Sequence, residues 1–400
     1  MTTRYPRREM GFFIVIALVM ISLVALVPTI TAQETEHDSI PPRIGLSENT
    51  SRVLYLDSPD HASFGAPSLT VTDSLATQTA NTESRLVVYS LKTQLSNAET
   101  ESQLRSISQN ASLYFQMETN RLHALESQKR TQLREGEISK AEYLRTLGAI
   151  HRRAGNLHER ISVLRSNERL TSEARTDLSN VESDLVGLEG PLRSGLASAL
   201  DGSGDPSKVF VTTSGAGVTL SKIQDGTFIH EAYIPANRDG VIGSLSFDEA
   251  INITRAYYPY LNQQSTGRSL SSQNPDLLEF SIGGPNGDTR GYLDTSTQQV
   301  FFEVHRLSLG EGIETEPLRT VSSNNTTLIV SDSYVGGPLK IRVENQTGSP
   351  LRADVYLNKT HVGRTNDAGN YWTIARRPPY PVRVTTDEAN ISANVTRFSK

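Results

Sequence analysis

The spacing of apolar residues changes once along this chain, and that change limits the folds open to it. Up to about residue 200 the period is helical: Tyr143, Leu147, Ile150, Ala154, Leu157, Ile161 and Leu164 recur at steps of four and three, and Leu178, Val181, Leu185, Leu188 and Leu192 continue the rhythm. A stripe this narrow cannot be buried alone, so the helices must pack on one another or on a second chain. After a short linker at 202–206 the period becomes two, the signature of strands with one buried face. Two blocks of different period make a multidomain chain, with helices first and antiparallel β structure after.

Local signals refine this. Ser96 to Glu99 and Ser139 to Glu142 read as capping boxes, Gly136 as a break between helices, 167–172 as a reversal, and Gly190-Pro191 as a restart. They predict three or four antiparallel helices within a coiled-coil region over 70–202, with a homodimer through Leu157 and Ile161 as its expected assembly. In 205–310, strands are predicted at 208–220, 227–234, 277–282, 289–293 and 299–307. A capped helix opens at Ser246, a polar loop fills 262–276, and Asn286-Gly287 forms a hairpin turn. This is a small α+β domain. Seven short alternating stretches between 326 and 398 predict an all-β sandwich: 326–330, 339–343, 351–357, 361–364, 371–374, 382–385 and 391–395.

The N-terminus sets the compartment. Arg4, Arg7 and Arg8 precede an uncharged apolar run at 11–27, roughly 25 Å long as a helix. It reads as a signal peptide cut after Ala32 or, uncut, as an N-terminal membrane anchor. Either outcome sends the rest of the chain out of the cytoplasm, through an extended linker at 33–69. Nine of the 21 asparagines stand in N-x-[ST] sequons and are candidate glycosylation sites: Asn49, Asn110, Asn252, Asn324, Asn325, Asn345, Asn358, Asn390 and Asn394.

Other chemistry is excluded or unmarked. The chain has no cysteine, which removes disulfides, thiol catalysis and thiolate metal sites. A net charge of −5 argues against a nucleic-acid partner. The eight histidines form no H-E-x-x-H, no G-x-S-x-G elbow is present, and Gly215-Ala216-Gly217 lacks the G-K-[ST] of a phosphate loop. No catalytic, cofactor-binding or metal-ligating residue is selected. His305, alternating with Phe301 and Glu303, reads as a surface or pocket-edge histidine.

Two resemblances add to this reading. SFDEAINITRAYYPYL, followed by LEFSIGG and GYLDTSTQQVFFEVHRL, resembles a PepSY-type module, which implies a small extracytoplasmic domain that binds ligands or inhibits proteolysis. IRVENQTGSPLRADVYLNKTHVGRTNDAGNYW is similar to carboxypeptidase-regulatory-like, transthyretin-like sandwiches. Together they resemble a group of exported haloarchaeal proteins with helical, PepSY-like and sandwich parts. The expectation is a non-enzymatic cell-envelope protein whose helical stalk presents binding domains to a protein or glycan. The alternative is a regulator of an exported protease, and a hydrolase with a dispersed triad comes last.

Overall fold

In the computed structural model the described residues are 59–67, 71–204, 208–259, 265–310, 315–332 and 336–396, with 43–44, 51–52, 54, 56, 261 and 313. The apolar run at 11–27, the cleavage point after Ala32 and Asn49 lie outside them. No helix among the described residues is long and apolar enough to cross a membrane.

Among the described residues five α-helices fill 71–201: α1 Val71–Asn97, α2 Glu101–Glu135, α3 Lys140–Arg165, α4 Ser172–Leu185 and α5 Pro191–Asp201. Gly136 closes α2 in the left-handed region at φ 77°, where a side chain is strained. Ser139 and Thr171 cap α3 and α4 by accepting the N–H groups of Glu142 and Ala174. One expected cap is displaced. Ser96 lies inside α1, its hydroxyl donating to Lys92 O, because the apolar rhythm of α1 runs on through the buried Leu95. The reciprocal box is formed by Thr100 and Gln103. Thr100→Ala removes its side-chain half and should lower stability by about 1 kcal/mol, read as a shifted urea midpoint. An unchanged midpoint would show that this end of α2 does not depend on the Thr100 hydroxyl.

All seven residues of the α3 stripe are buried, and α3 packs against α1, α2, α4 and α5. The seam is therefore satisfied within one chain, by a five-helix bundle, and Leu157 and Ile161 lie in its core.

The bundle rests on an eight-stranded antiparallel sheet. Its strands are β3 His61–Gly65, β4 Val209–Thr213, β5 Val218–Gln224, β6 Thr227–Tyr233, β7 Gly267–Asn274, β8 Leu277–Gly284, β9 Gly287–Asp294 and β10 Val300–Ser308. A short pair, β1 Arg43–Ile44 and β2 Ser51–Arg52, precedes them. The order β3-β4-β5-β6-β10-β9-β8-β7 joins two meanders through the central β6–β10 pair. Alternation decides what each face covers. Val209, Val211, Val218, Leu220, Tyr233 and Val304 share one core with the helices. Phe210, Phe228, Ala232, Phe280, Leu293 and Leu307 point the other way, under helix α6 Phe247–Tyr257, Tyr258 and Leu54. With both faces covered, β4 is buried at all five positions.

Three expectations change here. The segment read as a linker supplies β3, which pairs with β4, and buries Leu54 and Leu56. The polar stretch 262–276 contains β7, an edge strand on β8. Neither carries a strong apolar alternation, because an edge strand with few buried positions does not need one. The stretch 208–220 is two strands about a turn at Ser214–Gly217, where Ser214 N–H donates to Gly217 O.

The C-terminal sandwich consists of two four-stranded sheets. One holds β11 Glu316–Ser323, β12 Thr326–Asp332, β13 Pro338–Asn345 and β16 Asn370–Ile374. The other holds β14 Asp354–Leu357, β15 Thr360–Arg364, β17 Tyr380–Thr385 and β18 Asn390–Val395. Their inward Leu, Ile and Val residues make a core of their own. β11 is absent from the sequence reading because a register shift between Pro317 and Arg319 breaks its alternation.

Candidate functional site

Three polar assemblies stand out, two buried and one open. The first lies between bundle and sheet. Glu231 on β6 and Arg193 on α5 form an ion pair at 3.1 Å with both side chains 1% exposed. The Glu231 carboxylate also accepts the Leu192 N–H at 2.9 Å, so it occupies the positive N-terminus of α5, where Pro191 has no N–H to offer. Gly190 is required beside it, since a Cβ there would come within 2.3 Å of the carboxylate. Burial raises the Glu231 carboxyl above its usual range even though Arg193 and two backbone donors oppose the shift.

The second lies on the opposite face of the sheet. Glu303 Oε1 accepts from Leu54 N–H at 2.6 Å and from His305 Nε2 at 2.8 Å, and Oε2 accepts from the Tyr258 hydroxyl at 2.5 Å. The Thr289 hydroxyl completes the chain, 2.7 Å from His305 Nδ1. Beside it, His230 donates from Nε2 to Leu54 O, which fixes Nδ1 as the acceptor of the Ser221 hydroxyl at 2.9 Å. Burial pushes Glu303 up, but His305, the Tyr258 hydrogen bond and His230 together outweigh it and hold the carboxyl below its usual range. Burial, helped by His305, pulls His230 down to about 4.

Hydroxyl, imidazole and carboxylate thus stand in line as Thr289, His305 and Glu303, the geometry sought for a dispersed triad. All three are 0% exposed, so no substrate reaches the Thr289 hydroxyl. His305 is accordingly a core residue, not the pocket-edge histidine expected: Leu54 and Tyr258, far away in sequence, cover its face.

A related cage explains the YLDTST motif. Asp294 accepts the Ser296 and Thr297 N–H groups and, with Asp184 and Asp276, surrounds Arg238 at 3.5, 2.7 and 2.8 Å respectively. The motif ties the end of β9 to helix α4.

The open assembly is a groove of about 430 Å³ lined by Phe64 and Gly65 of β3, Lys208, His361 of β15, Tyr371 of β16 and Arg376. A contiguous hollow adds Lys140 and Arg377. The Arg376 guanidinium lies 5.5 Å from the Phe64 ring centre, and its Nε is buried without a hydrogen-bond partner among the described residues. The Tyr371 hydroxyl donates to Val362 O at 2.5 Å. No Asp or Glu lines either hollow, and none of Lys140, Lys208, Arg376 and Arg377 makes an ion pair among the described residues. Sequence reasoning missed all four cations, which come from three segments, with Arg376 and Arg377 adjacent, and share no motif.

The described sequons lie at the surface. Asn110, Asn252, Asn324, Asn325, Asn358, Asn390 and Asn394 are exposed, whereas Asn345 is half-buried, its carbonyl accepting from Thr347 and Ser349 in a turn. They are scattered over α2, α6 and the sandwich and are not brought together. Among the described residues no group of three or more His, Asp or Glu side chains is placed to hold a metal ion.

Comparison with known families divides the chain where its periodicity changes. Residues 10–205 match a domain of unknown function, DUF7096, and 209–311 match a family of unknown function, DUF7094. The first boundary is not a structural one, since β3 and the helices of the first region complete the sheet and core of the second. No curated protein and no solved structure matches the chain. Residues 318–393 match the archaeal fibronectin-III type-like domain, so the C-terminal sandwich, expected to resemble the carboxypeptidase-regulatory-like type, is similar to this archaeal type.

Proposed function

We propose that this chain is a non-enzymatic, exported cell-envelope protein that binds an anionic macromolecule in the groove between β3 and the sandwich. One observation carries the reading: four cations line two adjoining hollows, and no carboxylate lines either, on a chain whose overall charge is negative. Unpaired like charges repel one another and gain most from a ligand of opposite sign. The bundle, sharing its core with the sheet, acts as scaffold for the groove and not as a separate stalk. The N-terminal apolar run supports export, and the exposed sequons are consistent with glycosylation on the outer surface.

The test is binding of polyglutamate and polygalacturonate to the full chain in detergent micelles. Affinity for at least one polymer should fall by about tenfold or more between low and physiological salt. It should fall again in Lys208→Gln and Arg377→Gln. Binding of neither polymer, or binding indifferent to salt and to both substitutions, would refute the reading.

A further inference from the structure

The groove is where the open edges of three sheets meet. β3 ends the eight-stranded sheet, β15 ends one sheet of the sandwich and β16 ends the other, and all three line the same hollow. The remaining sandwich edges, β11 and β18, pack against each other. An edge strand leaves half of its backbone N–H and C=O groups unpaired, and proteins ordinarily guard such edges with charged residues or proline. β3, His-Ala-Ser-Phe-Gly, carries no Lys, Arg, Asp, Glu or Pro.

Resting on the reading of the groove as an anion site, we propose that its ligand is an extended acidic segment of another protein, which adds to β3 as a further antiparallel or parallel strand. Strand addition draws its affinity from backbone hydrogen bonds and its specificity from alternate side chains. Here the cations at Lys140, Lys208, Arg376 and Arg377 would receive carboxylates along the added strand. The aromatic rings argue for a peptide over a sugar polymer, since sugars stack on free ring faces. The Phe64 ring is engaged by Arg376 and, edge-on at 5.1 Å, by Phe210, and Tyr371 is tied down through its hydroxyl.

The experiment measures fluorescence anisotropy of a labelled decapeptide of alternating Glu and Val with the full chain in detergent micelles. Two further peptides carry N-methyl groups on alternate amides, one in each phase, and polygalacturonate serves as the glycan probe. The expected result is that at least one methylated peptide binds about tenfold more weakly than the parent. The parent should also weaken about tenfold in Lys208→Gln, a surface substitution checked by an unchanged melting midpoint, and in Arg376→Gln. If both methylated peptides bind as well as the parent, strand addition is wrong while the anion groove stands. Binding of polygalacturonate alone, dependent on Lys208, has the same meaning and names a glycan as ligand. If no probe binds, both readings fail.

Discussion

Arg193→Met should destabilise the protein by about 3–5 kcal/mol, because it leaves the Glu231 carboxylate buried without a counter-charge. Arg193 is 1% exposed, donates to Gly187 O, and lies over the Tyr233 ring at 5.4 Å, so methionine keeps part of the packing and loses all of the charge. Two further measurements separate the charge effect from simple misfit. In Arg193→Met/Glu231→Leu both charges are gone, and most of the loss should return, less the cap that Glu231 provides to α5. In the single variant the loss should also shrink in acid. Burial already raises the Glu231 carboxyl in the native protein, and removing Arg193 raises it further. A raised folded-state value contributes stability below the unfolded value and loses it as pH rises, so protonation restores the variant. If urea midpoints place the double variant no higher than the single one at every pH, the pair is not what joins bundle to sheet.

The elements legible in the sequence are those specified by neighbours. The α3 stripe, the Gly136 and Thr171 boundaries, the α6 box at Ser246 and Glu249, and the β8–β9 hairpin, whose turn is Pro285-Asn286, one residue before the expected Asn286-Gly287, each depend on residues within a few positions of one another. What the sequence hid depends on distance. The Leu54 N–H that reaches Glu303 lies 249 residues away from it, and nothing near His305 signals that Leu54 and Tyr258 will cover it. β3 and β7 were hidden for a different reason. Their strand state is imposed by pairing with β4 and β8, not by their own composition, so polar text reads as loop. The groove combines both difficulties: its edges come from three sheets and its cations from three places in the chain, 140, 208 and 376–377.

Acid should loosen this fold well above the pH at which carboxylates ordinarily titrate. His230, fully buried, is pulled from 6.5 to about 4 in the native state, so between those values the unfolded chain takes up a proton that the folded one refuses. A depressed folded-state value gives stability that is complete above pH 6.5, declines as pH falls, and is spent below about 4. The shift corresponds to about 3 kcal/mol. His61, His123 and His151, each lowered chiefly by burial, add to the slope, and Glu303, held below its usual range, extends it at the acid end. Glu231 and His158, both raised, oppose it. Protonation of His230 also sets Nδ1–H against the Ser221 hydroxyl it now accepts from, forcing that hydroxyl to turn. His230→Gln keeps a donor for Leu54 O and an acceptor for Ser221 but has nothing to titrate. Urea midpoints taken from pH 7.5 to 4 should therefore fall less steeply in His230→Gln than in the wild type, by close to one proton's worth of slope between pH 6.5 and 4. Parallel curves would place the acid sensitivity elsewhere and remove His230 from the account.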